Sequence, residues 1–183
     1  AGYELTAGIG YIAQPTATST VSYSGTLKTG SVPVTLTRTG TGSYAGFNLL
    51  ANPYPSYLNA MTAINANDNV QQTIWYRTRS AAGTYYFETV NTESGVGTNA
   101  AGTGRVTGLI PPMQAFWVRT LIDNNEIEFT NAMRSHAGSV TVDLGEGNVS
   151  VPTTPMKTKA ATAGVVYLQI ARNNISDEKI IYF

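Results

Sequence analysis

Apolar and polar residues alternate with a period of two along much of the chain, as in β-strands that bury one face. The segment SVPVTLTR places Val32, Val34 and Leu36 on one face and Pro33 on the other. Proline has no N–H to donate to a neighbouring strand, so we predict an edge strand or a bulge at this position. The segment VVYLQIAR repeats the alternation near the C-terminus.

Other segments extend this pattern and define the fold class. TIWYRTRS and TYYFETVN flank Ala81, Ala82 and Gly83, an arrangement that predicts a β-hairpin. Further strand candidates are GYIA, VSYSGTL, FNLLA, GRVTGL, QAFWVRT, EIEFT, SVTVDL and KIIYF. About a dozen short strands separated by turn residues predict an all-β fold, an antiparallel β-sandwich that is jelly-roll-like. Only SYLNAMTAI has a helical pattern, with Ser56 as the expected N-cap, so we expect at most one short helix.

Length and charge limit the classes of function. A chain of 183 residues suits one domain, and we expect residues 1–183 to form a single β-sandwich module. Eleven Lys and Arg balance eleven Asp and Glu, so the chain lacks the basic surface of a nucleic-acid-binding protein. The absence of cysteine excludes disulfides and thiolate zinc sites. No apolar run reaches the length of about 18 residues that would indicate a membrane-spanning helix.

The stretch GFNLLANPYPSYLNA has two interpretations. Pro53 and Pro55 fix the backbone and hold Tyr54 at a defined angle, so a strand runs directly into a rigid corner. In the functional interpretation, Tyr54 or Tyr57 is a platform on which a sugar ring stacks. In the structural interpretation, the same rings close one end of the sandwich.

Here the sequence resembles a known family of modules. GFNLLANPYPS resembles the GWNLxGNPYPS signature of large secreted and surface proteins of the Bacteroidota, many of them exported by the type IX secretion system. The segments GIGYIA, YSGTL, TIWYRT, IPPMQAFWVR, FTNAMRSH and LQIARNNISDEKIIYF resemble further parts of that module in the same order. Ala51 stands where the module usually has glycine.

The resemblance extends over nearly the whole chain, and it implies a secreted or cell-surface β-sandwich. It also implies one module of a longer multidomain protein, with the other domains of that parent chain as its partners. It implies no reaction and no set of binding residues.

Candidate catalytic groups are few. His136 is the only histidine, and its neighbour Ser135 points to the opposite face of an extended chain. Glu126 and Glu128 lie two residues apart on one strand face, about 7 Å from each other. That separation suits the carboxylate pair of a glycosidase, but an exposed polar face explains it equally well. We therefore predict that the protein is not an enzyme.

Two oxygen-rich segments, NANDN and DNNE, are candidates for a structural Ca²⁺ site. Asp68, Asp123 and Glu126 supply their carboxylates. Asparagine-rich turns are common without a metal, and neither segment matches an EF-hand loop.

Aromatic and arginine side chains are the better candidates for binding. Trp75, Arg77 and Arg79 alternate on one strand, and Trp117 and Arg119 alternate on another. Because the residues between them are apolar and suit the core, we expect both tryptophans on the solvent side. The ligand-binding candidates are Trp75, Arg77, Arg79, Trp117, Arg119, Tyr54 and Tyr57. Two alternatives are a cross-strand Trp–Arg ladder and burial of these faces under the long polar loop 91–104.

These features predict a non-catalytic carbohydrate-binding or adhesion module of a secreted or cell-surface protein. It would recognise a polysaccharide or cell-surface glycan by aromatic stacking and by hydrogen bonds from Arg and Asn. The alternative is a structural spacer that presents neighbouring domains and binds no ligand. The exposure of Trp75 and Trp117 distinguishes the two hypotheses.

Overall fold

The structure is a computed structural model that describes residues 4–13 and 24–135 and the strand segments 139–143, 148–152, 165–172 and 175–182. Its strands are β1 Val32–Leu36, β2 Phe47–Ala51, β3 Tyr57–Asn59, β4 Thr73–Arg79, β5 Tyr85–Asn91, β6 Leu109–Ile110, β7 Ala115–Arg119, β8 Asn125–Phe129, β9 Arg134–Ser135, β10 Ser139–Asp143, β11 Asn148–Pro152, β12 Val165–Arg172 and β13 Ile175–Tyr182. One helix, α1 Ala60–Asn65, and a 3-10 turn at Asn131–Met133 complete these elements. Every strand pair is antiparallel, which confirms the predicted all-β, sandwich-like fold with one short helix.

A four-stranded sheet in the order β2-β7-β4-β5 contributes the largest share of the core. Its side chains alternate between a buried inner face and an outer face, as the period-two pattern predicts. The inner face packs with the two-stranded sheet of β1 and β8 in one hydrophobic cluster. The fully buried members of that cluster include Leu36, Leu50, Ile74, Val90, Phe116, Val118, Ile127 and Phe129.

The first strand follows the sequence prediction. Val32, Val34 and Leu36 are buried, whereas Pro33 is exposed and lies opposite Glu128 of β8. Within the residues that the structure describes, β1 pairs with β8 alone, so it is an edge strand, as Pro33 requires.

The segment SYLNAMTAI differs from its prediction. Only its second half is helical, since β3 comes first and α1 then begins with Asn59 at the N-cap position. Ser56 is therefore not the cap. Leu58 pairs with β6 on one side and with β9 on the other. This long-range backbone pairing overrides the local helical preference.

Three further strand predictions are wrong wholly or in part. The segment GYIA is not a strand, although the Gly10 N–H donates to the Leu49 carbonyl at 2.9 Å beside β2. Residues 24–27 of VSYSGTL are irregular, and the rest of that segment lies outside the described residues. Only the last residue of GRVTGL belongs to a strand. Within the described residues, the β-strand pairing at or beside these segments is limited to an isolated bridge between Ile9 and Leu50 and to the two-residue strand β6, which is too little for a longer strand.

The C-terminal strands form two hairpins, β10 with β11 and β12 with β13. The strands predicted at SVTVDL, VVYLQIAR and KIIYF are present in these hairpins. In the part of the chain that the structure describes, no helix has the length and hydropathy needed to cross a membrane.

Candidate functional site

The outer face of the four-stranded sheet gathers most of the predicted binding residues. Trp75 on β4 lies directly opposite Trp117 on β7, and the next positions across the sheet are Thr89 and Leu49. Arg77, Arg79 and Arg119 share this face because the buried residues between them point inward. The structure thus places both tryptophans and the three arginines on the side of the sheet opposite the core.

A cavity of about 200 Å³ opens on this face, and we call it the outer cleft. Its floor includes Ala115, whose neighbour across the ladder is Ala51, so two adjacent positions of the sheet carry only methyl groups. Larger side chains surround the floor, and the lining residues are Tyr11, Ile12, Leu49, Arg77, Phe87, Gln114, Ala115 and Trp117. The cleft is therefore a concave, mostly apolar site with a few polar groups.

On β5, two aromatic rings of the outer face are exposed to solvent, and one of them, Phe87, lines the outer cleft. Phe87 is 61% exposed, and Tyr85, two residues earlier on the same face, is 57% exposed. From the opposite side, Tyr11 and Ile12 of the N-terminal segment are also exposed. Large apolar side chains grouped in this way on a surface commonly mark a binding site.

The three arginines differ in how many of their donors are already engaged. Arg79 donates from Nε to the Gly83 carbonyl, and Arg119 donates from Nε to the Ala45 carbonyl, each at 3.0 Å. Arg77 makes no hydrogen bond and no ion pair with any residue that the structure describes. Its guanidinium carbon lies 4.6 Å from the centre of the Tyr85 ring, a cation–π contact that leaves the N–H groups free.

The two tryptophans are half-buried, and their surroundings differ. Trp117 lines the outer cleft. Trp75 makes an edge-to-face contact with Phe47, with ring centres 5.1 Å apart. A ligand in the cleft would therefore touch Trp117, while Trp75 supports the wall from beside it.

The loop 91–104 does not cover this face. Gly97 forms a bridge with Val90, and the Thr98 N–H donates to the Thr89 carbonyl at 2.9 Å, so the loop lies along the free edge of β5. None of its residues lines the outer cleft. The alternative that the tryptophans and arginines of this face are buried under the loop is therefore wrong.

The NPYP corner is built around the buried side chain of Asn52. Its Nδ2 donates to the carbonyls of Ser56, Ile110 and Pro111 at 2.7, 3.0 and 3.1 Å. Its Oδ1 accepts the Tyr54 N–H at 2.9 Å. One side chain thus joins the corner to the segment that leads into β7.

Tyr54 is a core residue, so the functional interpretation of this ring is wrong. The side chain is 2% exposed, and its hydroxyl lies 2.7 Å from the Gly30 carbonyl oxygen and 2.8 Å from that of Phe129. Burial raises the pKa of this hydroxyl, although the Arg134 cation nearby opposes the shift. Tyr57 is half-buried on β3, where it pairs with Ser135 in a different sheet from the outer cleft.

The two oxygen-rich segments meet, but their amides bind each other. Asn67 Nδ2 donates to the Glu126 carbonyl at 2.7 Å and to Asn125 Oδ1 at 3.2 Å. Asp123 accepts the Arg38 N–H at 2.7 Å, and Asp68 is exposed. Among the described residues, no group of three His, Cys, Asp or Glu side chains comes together.

The candidate catalytic groups are dispersed as far as the structure describes them. Glu126 and Glu128 share the exposed face of β8, as predicted. His136 lies outside the described residues. The carboxylate of Glu88 is buried on β5, on the side of the sheet away from the outer cleft.

Sequence reasoning missed several residues of the outer cleft. The alternation in TYYFETVN places Tyr85 and Phe87 on one face, and the hairpin register brings Phe87 opposite Arg77. That signal was available in the sequence. Tyr11 and Ile12 had none, because they reach the cleft through the pairing of the N-terminal segment with β2.

Comparisons with known proteins give one match. Residues 1–143 match a protein-family model described as Domain of unknown function (DUF8693). Neither the curated proteins nor the solved structures include a match to this chain.

Proposed function

The chain belongs to the DUF8693 family, and we propose from its own side chains that it is a non-catalytic carbohydrate-binding or adhesion module. The outer cleft is the single observation that carries this proposal. It combines a concave floor at Ala115, aromatic walls at Trp117 and Phe87, and a polar group at Arg77. Such a site suits a sugar ring, whose apolar C–H face stacks on aromatic carbon while its hydroxyls bond to polar side chains.

In this proposal, the residues around the outer cleft have different roles. Phe87 presents an exposed ring face, and Trp117 is a second aromatic lining residue. Arg77 offers unengaged N–H donors, and the Oε1 atom of Gln114 makes no hydrogen bond within the described chain. Gln114 Nε2 is held by the Ala115 carbonyl at 2.8 Å, which fixes the orientation of the amide. The site is therefore organised before a ligand arrives, which lowers the entropic cost of binding.

The test is binding to a panel of soluble and insoluble polysaccharides, followed by calorimetry on each one that binds. We expect Phe87→Ala to weaken binding at least about tenfold, a loss of about 1.4 kcal/mol, because the exposed ring stacks on the ligand. Tyr44→Ala is the matched control, since Tyr44 is 91% exposed and does not line the outer cleft.

Both variants should keep the wild-type thermal midpoint, since each removed ring is largely in solvent. A panel without any bound polysaccharide would favour the spacer hypothesis. If Phe87→Ala binds every polysaccharide as well as the wild type does, the protein still binds carbohydrate, but the outer cleft is not the binding site.

The calcium prediction can be examined in the same assay by adding EDTA. A structural Ca²⁺ held by Asp123 or Glu126 would lower the thermal midpoint when it is removed, even with no polysaccharide present. An unchanged midpoint in EDTA would count against a bound calcium.

We also propose that the protein is located outside the cell, because GFNLLANPYPS resembles the module of secreted and surface proteins. Labelling intact cells with an antibody against the module tests this location. Signal that appears only after cell lysis would contradict it.

A further inference from the structure

We infer that the ligand of the outer cleft is an acidic polysaccharide, one that carries carboxylate or sulfate groups. This inference rests on the proposed function and adds the chemical class of the glycan. It is supported by the distribution of charge over the four-stranded sheet and the β1–β8 sheet, and by the unengaged guanidinium of Arg77.

The outer face of the four-stranded sheet carries positive charge only. Its outward positions hold Arg77, Arg79 and Arg119, and none of them holds Asp or Glu. The only acid of these four strands is Glu88, which points inward and is 1% exposed. An anion at this face meets three cations and no carboxylate on these strands.

This excess is local, because the chain as a whole has a formal net charge of zero. On the β1–β8 sheet the acids lie outside, since Glu126 and Glu128 of β8 are exposed. Opposite charges are therefore concentrated on different strands of the sandwich. A neutral glycan gains nothing from such an arrangement, whereas an anionic glycan is attracted to one face.

Arg77 is also the exception among the arginines. The structure describes six arginine side chains, and the other five each donate at least one hydrogen bond to the protein. The donors are Arg38, Arg79, Arg105, Arg119 and Arg134. Arg77 instead lines the outer cleft and lies over the Tyr85 ring, with its planar fork of N–H groups unused.

A guanidinium fork binds carboxylate or sulfate oxygens through two parallel hydrogen bonds. The Tyr85 ring holds the guanidinium in place without taking up its donors. A sugar stacked on Phe87, directly opposite Arg77 on the ladder, would bring an acidic substituent within reach of that fork.

The experiment compares polymers that differ in charge. Polygalacturonate is paired with its carboxyl-reduced form, and dextran sulfate is paired with dextran, so the two pairs distinguish carboxylate from sulfate. We expect the acidic member of at least one pair to bind tenfold or more tightly than its neutral partner at low salt. The preference should shrink as salt is added, because screening weakens charge pairing.

Variants then locate the effect. Arg77→Gln should remove the preference for the acidic polymer, and Arg77→Lys should restore part of it by returning the charge without the fork. Lys28→Gln makes the same change in net charge at an exposed position that does not line the outer cleft, and it should leave the preference intact.

Each contrary outcome has a separate meaning. Equal binding of acidic and neutral partners, still sensitive to Phe87→Ala, would overturn the acidic ligand and leave carbohydrate binding in place. Binding of neither partner in either pair would overturn the acidic ligand, and the wider panel then decides the proposed function. Tighter binding of a single-stranded oligothymidylate than of either acidic polymer would replace the inference with nucleic-acid binding.

Discussion

Asn52 shows how a single residue can hold a corner of the fold. Its amide takes part in four hydrogen bonds, three donated to carbonyls and one accepted from the Tyr54 N–H. Those groups lie in a buried region where water cannot replace the lost partner. The neighbouring prolines fix the backbone on either side of Tyr54, so the chain reaches this geometry at little entropic cost.

At the scale of a single residue, we predict that Asn52→Ala lowers the free energy of unfolding by about 2–4 kcal/mol, because several buried polar groups lose their partner together. Urea denaturation measures the change. Asn69→Ala is the control, since Asn69 is exposed and its side chain makes no hydrogen bond with the described residues. A loss for Asn52→Ala no larger than that of the control would contradict the role given to this side chain.

At the scale of an element, β5 and the loop 91–104 depend on a buried carboxylate. Glu88 accepts the Thr98 hydroxyl at 2.5 Å and the Ala101 N–H at 2.6 Å. Burial raises the pKa of this carboxyl, but those hydrogen bonds, with one from the Ala100 N–H, outweigh it and hold the pKa below its usual value. The loop thus lies along β5 because an ionised side chain binds it there.

The sign of the pH dependence follows from this lowered pKa. The contribution of Glu88 to stability is complete above its unfolded pKa of about 4.3 and is lost as the pH falls through the lower folded value. We predict that the urea midpoint falls more between pH 6 and pH 3 in the wild type than in Glu88→Gln, whose amide does not titrate. Equal losses in the two proteins would show that Glu88 is not the group responsible.

The elements that the sequence predicted best are those with a clear period-two alternation, whether the partner strand is close in the chain, as for β4 and β5, or distant, as for β1 and β8. The β4–β5 hairpin formed as predicted, because its two strands are joined by a short turn at residues 80–84. The helix boundary at Ser56 was wrong because Leu58 pairs with Ile110 and Arg134 as part of a strand. The strand at GYIA was wrong because pairing next to it is limited to a single bridge between Ile9 and Leu50. The candidate site followed the same rule, since Trp117 and Arg77 could be placed on a face whereas Tyr11 could not.

At the scale of the whole molecule, the four-stranded sheet and the β1–β8 sheet contribute to one core and carry different outer surfaces. The outer face of the four-stranded sheet is aromatic and cationic, and the exposed face of β8 is acidic. The core needs only the inward residues, so it does not require this difference. The proposed binding of an acidic polysaccharide on one side of the sandwich would account for it.

The position of the two tryptophans also determines which part of this protein its tryptophan fluorescence reports on. They are the only tryptophans in the chain, and they lie side by side on the face that holds the outer cleft. The tryptophan fluorescence of the molecule, excited at a wavelength that the eleven tyrosines do not absorb, therefore comes entirely from the neighbourhood of the site, and no external label is needed. In a Trp75→Phe variant, emission from Trp117 should shift to shorter wavelength as an acidic polysaccharide displaces water from the cleft. Adding Phe87→Ala to that variant should abolish the shift, and emission that stays constant at saturating polymer would mean that Trp117 does not touch the ligand.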